Sequence, residues 1–190
     1  AATTCTSEIP AIPGYPENVV RRVLAMGHEA IAEHASFNFL LQGISRACSH
    51  QLVRYRHASY GQQSQRCVAG MPDMVVPESI RKNEEAHNEF QIALDHISYT
   101  YKHLIDECGI PAEDARYILP NAAHTNISMT LNASELRHIA RQRLCNRAQW
   151  EIMHVVDEMA ELARGVAPVL FEGVGPACLN GECPEGKLSC

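Results

Sequence analysis

Residues 54–67 read RYRHASYGQQSQRC, a short stretch that holds three arginines together with several hydroxyl and amide side chains. Guanidinium groups bind phosphate oxygens bidentately, and Ser and Gln offer the neutral hydrogen bonds that orient a nucleobase. The stretch therefore favours a surface that binds a phosphate and a base. A solvated basic loop with incidental serines explains the same composition, so the residues alone leave both interpretations open.

The spacing of the first two arginines predicts a local change of structure. Arg54 and Arg56 are two residues apart, so on one helix their side chains would point away from each other. The two guanidinium groups converge only if a helix ends near Tyr55 and the chain then extends. We therefore expect a helix-to-loop transition here, with Gln51 on the preceding helix.

The composition is that of an ordinary globular chain. With 190 residues, 46% of them hydrophobic, it can bury a core, and it has no apolar run long enough to cross a membrane. We expect one domain over residues 1–170 and a Cys-, Gly- and Pro-rich tail over residues 171–190. Residues 1–15 lack the charged start and apolar stretch of a signal peptide, so the expected compartment is the cytoplasm.

The net charge argues against a nucleic-acid partner. A formal charge of −6 disfavours non-specific binding to a polyanion, although the arginines cluster locally. A local anion pocket therefore explains the arginines better than a nucleic-acid groove.

The eight cysteines are predicted to be reduced thiols, because most are scattered and do not form the dense framework of a small secreted domain. Cys178, Cys183 and Cys190 cluster in the tail. Three thiolates could bind zinc with a fourth ligand from elsewhere, but the spacing is not the paired C-x-x-C of common zinc sites. We assign no metal site, and an unordered or redox-sensitive tail is the alternative interpretation.

Apolar periodicity predicts three elements outside the opening stretch. A short helix begins at Pro16 and stops at Gly27. Alternation over residues 37–41 predicts a strand. Apolar residues at three- and four-residue steps predict one helix over residues 78–108, about 45 Å long at 1.5 Å per residue, whose histidines are given no chemistry.

A further helix begins at Asn132, which is predicted to be its N-cap, with Glu135 in the capping-box position. On this helix Leu136 and Ile139 share a face with Arg143, which puts a guanidinium on an apolar stripe. A buried arginine needs an anionic or strongly accepting partner. An intramolecular salt bridge or a bound nucleotide would satisfy it.

Several familiar site types are excluded. His28 and His34 are six residues apart, whereas a zinc-protease helix needs histidines four apart. The sequence has neither a glycine-rich dinucleotide fingerprint nor a phosphate-binding P-loop. Ser59 and Ser64 have no identifiable partner base, so hydrogen bonding to a ligand is a stronger role for them than nucleophilic attack.

The opening stretch resembles the signature of flavin-dependent thymidylate synthases, R-H-R-x-x-S-x-N-x-x-S-x-R. The matching positions are Arg54, Arg56, Ser59, Ser64 and Arg66. The resemblance extends over roughly residues 20–165 and includes Gly27-His28-Glu29, Glu33-His34-Ala35-Ser36, Ser45-Arg46-Ala47-Cys48-Ser49-His50-Gln51, Leu119-Pro120, Asn132-Ala133-Ser134 and Arg143.

This resemblance implies an α/β (α+β) fold with long helices around a mixed sheet, assembled as a homotetramer with shared active sites. It implies reductive methylation of dUMP to dTMP, with methylenetetrahydrofolate as one-carbon donor and NADPH as reductant through FAD. The residues implied for dUMP binding are Gln51, Arg54, Gln62, Ser64, Arg66, Arg116 and Arg143. Those implied for FAD binding are His34, Ser36, Arg54, Tyr55, Arg56, Asn132 and His138.

Arg143 is the residue to which the resemblance assigns catalysis. A fixed guanidinium beside the uracil ring can stabilise negative charge on it and so make the ring carbon more nucleophilic. No covalent enzyme nucleophile is implied.

Three positions depart from the resembled family. Tyr55 replaces a usual His, Gly61 replaces a usual Asn or Ser and is expected to loosen a loop, and Ser134 replaces a usual Arg. Weaker FAD binding is the expected consequence. Family members also usually have an opening strand before the segment matching Ala1–Cys5, so part of a native N-terminus is expected to be absent.

These departures keep two alternative functions open. The first is a nucleotide- or flavin-binding relative that lacks synthase activity, since all three departures lie on the flavin side. The second is an enzyme that transfers one carbon to a different pyrimidine nucleotide.

Overall fold

The computed structural model of the chain describes residues 14–68 and 70–190. Residues 1–13, and with them the expectation about an opening strand, lie outside the described residues. The α-helices are α1 (Tyr15–Ala25), α2 (Arg46–Leu52), α3 (Glu78–Arg81), α4 (Glu84–Asp106), α5 (Ala112–Ala115), α6 (Ala133–Arg143), α7 (Trp150–Val166) and α8 (Pro168–Phe171). Shorter 3-10 helices cover Glu29–His34, Arg116–Ile118, Ala177–Asn180 and Gly186–Leu188.

Three strands, β1 (Ser36–Ser45), β2 (Ala58–Gln62) and β3 (His124–Asn132), form a sheet in the order β1-β3-β2. At one end of the β1–β3 pair Ala133 N donates to Ala35 O at 2.8 Å, and beyond its other end Arg46 N donates to Ala123 O at 3.0 Å. Rising numbers on one strand thus meet falling numbers on the other, so the pair is antiparallel. The expected mixed sheet is therefore wrong for the described residues.

The chain divides into two compact units. The first, the α6 unit, comprises the described residues of Ala1–Phe39, Tyr55–Ser59 and Met129–Cys190. The second, the α4 unit, comprises those of Leu40–Arg54 and Tyr60–Ser128.

In the α6 unit the core forms between α6, α7 and the 3-10 helix that precedes β1. Leu136 and Ile139 of α6 and Ile152 and Val156 of α7 have no accessible surface. Burial of side chains of this size contributes about 1.5–3 kcal/mol each. The packing holds α6 in place, and α6 is the helix that carries His138 and Arg143.

The predicted N-terminal helix is confirmed as α1. Pro16 lies in its first turn, and Val19 and Val23 are buried. Gly27, with φ of 82°, lies just beyond the end and adopts the left-handed conformation that glycine favours after a helix. The reversal leads directly into the 3-10 helix that ends at His34.

The predicted strand over residues 37–41 is confirmed within β1, and Asn132 is confirmed as a helix N-cap. Its Oδ1 accepts a hydrogen bond from Glu135 N at 2.8 Å. The predicted helix-to-loop transition is also confirmed, because α2 ends at Leu52 and Arg54 lies in the following turn.

The single helix expected over residues 78–108 is wrong. Two helices lie there, and Asn83 is extended between them and caps α4 by accepting from Ala86 N at 3.0 Å. Asn is a favoured N-cap residue, because its side-chain oxygen accepts from an N–H group of the first turn that has no backbone acceptor within the helix. α4 has 23 residues, about 35 Å at 1.5 Å per residue, and buries Leu94 and Tyr101.

Gly61 was expected to loosen a loop, but it lies in β2. A Cβ at this position would approach the Ser128 Cβ to 3.9 Å, an ordinary contact distance. A Cβ therefore fits at this position of the strand.

Among the described residues, no helix is long and apolar enough to cross a membrane.

Candidate functional site

In the α4 unit, the side chain of Gln62 is fixed by two buried hydroxyls. Its Nε2 donates to Oγ of Ser49 at 2.9 Å and to Oγ1 of Thr125 at 3.3 Å. Ser49 and Thr125 are each 2% exposed, so they have little water to bond instead. Both N–H groups of the amide are used inward, which leaves its carbonyl oxygen to accept from a ligand.

Two arginines of the same unit contact Glu113, and a third lies near one of them. Arg66 Nη2 pairs with the Glu113 carboxylate at 2.8 Å, and Arg116 Nε donates to the Glu113 carbonyl at 2.9 Å. Burial, and then the positive charge of Arg116, lowers the pKa of Arg46 below its usual value. The guanidinium groups of Arg46 and Arg116 are therefore close enough to repel each other, and a bound anion would relieve that repulsion.

The Arg66–Glu113 pair is exposed, with side chains 62% and 49% accessible. Exposed pairs of this kind stabilise a fold by about 0–1 kcal/mol. A dianionic phosphate can therefore displace the carboxylate from Arg66 at little cost. Ser64 lies two residues before Arg66, and its hydroxyl oxygen accepts from Arg66 N at 3.2 Å.

The sequence analysis missed Glu113 and gave Arg46 no role. Glu113 belongs to a four-residue helix with ordinary surface composition, so its sequence carries no signal. Arg46 did have a signal in the sequence, because it directly follows Ser45, a residue type that favours the N-cap position. The structure confirms this cap, since the Ser45 side chain accepts from Cys48 N at 3.0 Å and the helix begins at Arg46.

Of the other residues predicted to bind dUMP in this unit, Gln51 is half-buried on α2 and Arg54 is exposed beyond the end of that helix. Ser64 also lines a cavity of about 350 Å³. The cavity wall includes His124 and Asn126 of β3, which the sequence analysis did not identify.

In the α6 unit, Tyr55 connects two other predicted site residues, Arg143 and His138, with Gln142 lying between Tyr55 and His138. Arg143 Nε donates to the Tyr55 hydroxyl at 2.7 Å, and that hydroxyl donates to Gln142 Oε1 at 3.0 Å. Gln142 Nε2 lies 3.0 Å from His138 Nε2. Because an amide N–H only donates, His138 Nε2 accepts, and the neutral imidazole carries its proton on Nδ1.

The ring of Tyr55 adds packing contacts to these hydrogen bonds. The guanidinium of Arg143 lies 5.6 Å from the ring centroid, within the range of a cation–π contact. The His138 ring meets the Tyr55 ring edge-on, at 6.4 Å between centroids. Tyr55 is only 9% exposed, so it holds Arg143 in a fixed direction.

Arg143 is half-buried next to the buried face of α6, as its spacing predicted. An intramolecular salt bridge was one of the two ways expected to satisfy Arg143. On this helix the buried salt bridge is made instead by Arg137, which is 7% exposed. Its Nε and Nη2 donate to the two oxygens of Glu29 at 2.8 and 3.1 Å, and its Nη1 donates to the Leu170 carbonyl.

Glu29 also accepts from Arg141 Nη2 at 2.6 Å. Burial by itself opposes ionisation of Glu29, but the hydrogen bonds and charges of Arg137 and Arg141 outweigh it and lower its pKa below 4.5. Glu29 begins the 3-10 helix that ends at His34, and the two arginines lie on α6. The carboxylate thus fastens the element carrying His34 to the helix carrying His138.

The remaining residues predicted to bind FAD lie at element ends in the same unit. His34 and Ser36 are exposed on either side of the junction between the 3-10 helix and β1, and Arg56 is exposed one residue beyond Tyr55. Asn132 is half-buried, with its Oδ1 occupied as the N-cap of α6. Ser134, where the resembled family usually has Arg, lies in the first turn of that helix.

Among residues 14–68 and 70–190, no group of three or more His, Cys, Asp or Glu side chains could hold a metal ion. Cys67, Cys108, Cys145, Cys178, Cys183 and Cys190 are free thiols.

The antiparallel sheet and the helices define an α/β protein with a group of arginines in each of its two units. The sequence model of the family described as thymidylate synthase complementing protein matches residues 1–169. The chain belongs to this family.

Similar proteins carry a more specific name. A protein of Geobacter sulfurreducens is 50% identical over 173 residues, which cover 89% of this chain and 74% of the relative. Proteins of Clostridium tetani and Pyrococcus furiosus are 42% and 43% identical, over 88% and 90% of this chain and 74% of each relative. All three are named flavin-dependent thymidylate synthase.

Proposed function

We propose that this protein is a flavin-dependent thymidylate synthase, which converts dUMP to dTMP with methylenetetrahydrofolate as the one-carbon donor. NADPH supplies the reducing equivalents through FAD. The observation that carries the proposal is the half-buried Arg143, whose guanidinium is held by Tyr55 in a chain 50% identical to a protein of that name. Residues 1–170 form the synthase domain, and residues 171–190 form its tail.

The groups of the α4 unit match the chemistry of dUMP. Arg46, Arg66 and Arg116 offer guanidinium groups to a phosphate, and bidentate Arg–phosphate bonds are among the strongest hydrogen bonds in proteins. Gln62 presents a carbonyl oxygen, which suits the imide N–H of a uracil ring. Gln51, Arg54 and Ser64 complete the proposed dUMP set.

The groups of the α6 unit match the chemistry of a dinucleotide. Arg56 and His138 are exposed and can donate to a diphosphate, and His34 and Ser36 add two more hydrogen-bonding side chains. Arg54, Tyr55 and Asn132 complete the proposed FAD set. When bound, the flavin supplies the hydride-transfer chemistry that no side chain can provide.

Arg143 acts on the uracil ring in this proposal. A fixed positive charge next to a ring carbonyl stabilises negative charge as it develops on the ring. The neighbouring ring carbon becomes a better nucleophile toward the one-carbon donor, so no covalent bond to the protein is needed. Tyr55 positions Arg143, because its hydroxyl accepts from the guanidinium and donates to Gln142.

The proposed assembly is a homotetramer with shared active sites. Support comes from α4, where Ile92 and Tyr99 are 63% and 68% exposed and lie seven residues apart, on one helical face. Large exposed side chains grouped in this way are typical of an interface between subunits.

Ligand selectivity tests the nucleotide assignment. We expect dUMP to bind the purified protein more tightly than dCMP, because the N3 of cytosine carries no proton for the Gln62 carbonyl. The Gln62→Leu variant has no acceptor for this proton, so it should lose the preference. Isothermal titration with dUMP, UMP and dCMP measures it, and tighter binding of dCMP would contradict the assignment.

A further inference from the structure

The C-terminal tail lines a second pocket in the α6 unit, with a volume of about 250 Å³. Its wall contains three arginines and three cysteines, namely Arg141, Arg143, Arg147, Cys145, Cys178 and Cys183. Cys178 and Cys183 lie beyond residue 169, where the match to the family ends. The proposed synthase chemistry therefore gives the tail cysteines no role.

The side chains of the two residues that follow Cys145 in the sequence hold the tail at this pocket. Arg147 Nη1 donates to the Leu188 carbonyl at 2.5 Å, and Arg147 Nε lies 4.0 Å from the Glu185 carboxylate. Asn146 Nδ2 lies 3.7 Å from the Cys190 sulfur. These contacts keep the tail thiols next to the end of α6.

The pocket combines two chemical features. Its cysteines are free, with Cys178 exposed and Cys145 and Cys183 half-buried. Its charged wall carries three guanidinium groups against one carboxylate, that of Glu185. A compound with both a disulfide and carboxylates matches the thiols and the arginines together, whereas a bound metal ion would meet positive charge.

We propose that this pocket is a thiol-modification site for low-molecular-weight disulfides that carry carboxylates. The arginines attract the carboxylates, and the thiolate of Cys178 attacks one sulfur of the disulfide. A mixed disulfide forms and one small thiol leaves. Cys145 or Cys183 then attacks the Cys178 sulfur, forms a protein disulfide and releases the second small thiol.

The electrons balance over the two steps. Two protein thiols lose two electrons and two protons, and the small disulfide is reduced to two thiols. The product is a disulfide in the pocket wall that Arg143 also lines. It joins Cys178 either to Cys183 within the tail or to Cys145 just beyond the end of α6. The chemistry of this site does not depend on the proposed synthase function.

Two disulfides of opposite charge test the proposal on the unmodified protein. Oxidised glutathione carries carboxylates, whereas cystamine carries two ammonium groups. Cys108 is an internal control, because it is exposed and follows Asp106 and Glu107 instead of arginines. Peptide mass spectrometry measures the initial rate of modification at each cysteine.

We expect the ratio of the glutathione rate to the cystamine rate to be at least roughly threefold higher at Cys178 than at Cys108, an effect of the size of an exposed charge pair. Longer incubation should give a disulfide from Cys178 to Cys145 or Cys183. Equal ratios at the two sites, or a mixed disulfide at Cys178 that never resolves within the pocket, would overturn the proposal.

A matched pair of variants separates the charge of the pocket from the charge of the whole protein. Arg147→Gln removes a pocket charge, and Lys82→Gln removes an equal charge from a residue that does not line the pocket. Only the first should lower the ratio at Cys178. An equal fall in both variants would contradict a site built by the pocket arginines.

Discussion

At the scale of single residues, Tyr55 explains how a departure from the family pattern is tolerated. The resembled signature has His at this position, and the structure gives Tyr55 the bonds that orient Arg143 and Gln142. A phenol hydroxyl accepts and donates at once, as a neutral imidazole does with its two nitrogens. The substitution therefore keeps the connection between Arg143 and His138.

Replacing Arg143 tests its proposed catalytic role. Arg143→Ala should lower kcat for dTMP formation by about 10²–10³-fold, the usual loss when one charge-stabilising donor is removed. Flavin content, read from the visible absorbance of the purified protein, should stay unchanged. Loss of flavin in proportion to activity would show instead that Arg143 supports folding or assembly.

Two substitutions at Tyr55 test its positioning role. Tyr55→Phe keeps the ring but removes the acceptor for Arg143, so kcat should fall by about tenfold, within the range for a lost hydrogen bond to a charged group. Tyr55→His restores an acceptor and should recover most of the rate, with little change in KM for dUMP. An unaltered kcat in the Phe variant would exclude the positioning role.

At the scale of secondary structure elements, the Glu29 cluster fixes the relation between the 3-10 helix at Glu29–His34 and α6. Arg137 is almost fully buried, so its charge must be paired where it lies. The pair joins residues 108 positions apart in the chain. Helix α6 and the 3-10 helix therefore move as one element, and with them His34 and His138.

The cluster also predicts how stability depends on pH. Because the pKa of Glu29 is lowered in the folded protein, its contribution is fully present above pH 4.5 and is lost as the pH falls through the folded value. Glu29→Gln should cost about 1–2 kcal/mol at pH 7, less than the 3–5 kcal/mol of a fully buried pair, since Glu29 is 30% exposed.

Thermal unfolding between pH 7 and pH 3 measures this effect. The Tm difference between the native protein and Glu29→Gln should narrow below pH 4.5. Glu172→Gln is the control, because Glu172 pairs with Arg21 at 58% exposure and should contribute little at any pH. A difference that stays constant with pH would rule out ionised Glu29 as the source.

Asn132 has two candidate roles that substitutions can separate. Asn132→Ala removes the cap of α6 and should cost about 1 kcal/mol in unfolding free energy. Asn132→Asp caps equally well but adds a negative charge, so it should keep the Tm and weaken FAD binding. Flavin titration of both variants decides, and unchanged FAD affinity in the Asp variant would leave Asn132 with the capping role alone.

The elements show which parts of the fold could be predicted from sequence. The Asn132 cap and the face of Arg143 depend on residues three or four positions apart, and such local signals are visible in the chain. The break at Asn83 was missed because the apolar residues behind the prediction begin only at Phe90, so nothing in their spacing marks where the helix starts. Glu29 could not be matched with Arg137, because the contact depends on how distant elements pack.

At the scale of the whole molecule, the predicted site residues fall into two groups that follow the two compact units. All but Arg143 of the proposed dUMP set lie in the α4 unit, and all but Arg54 of the proposed FAD set lie in the α6 unit. The chain crosses between the units four times, and two of these crossings, at residues 54/55 and 59/60, lie within the family signature over residues 54–66. This explains why one short stretch holds residues of both sets.

The exposed face of α4 predicts the state of assembly. We expect light scattering of the native protein to give a tetramer, and Tyr99→Asp to give a smaller species, because a charge would be buried at the interface. Ala93→Asp, at an exposed position on a different face of the same helix, is the control for an added negative charge. A monomer for the native protein at micromolar concentration would contradict shared active sites.

The most direct test of the central claim is formation of dTMP by the purified protein under anaerobic conditions. FAD, NADPH, methylenetetrahydrofolate and dUMP are supplied together to protein from which bound flavin has been removed, and each is then omitted in turn. We predict product only when all four are present. Binding of FAD and dUMP without any product would contradict the synthase assignment and point to a relative that keeps the pocket but lacks the reaction.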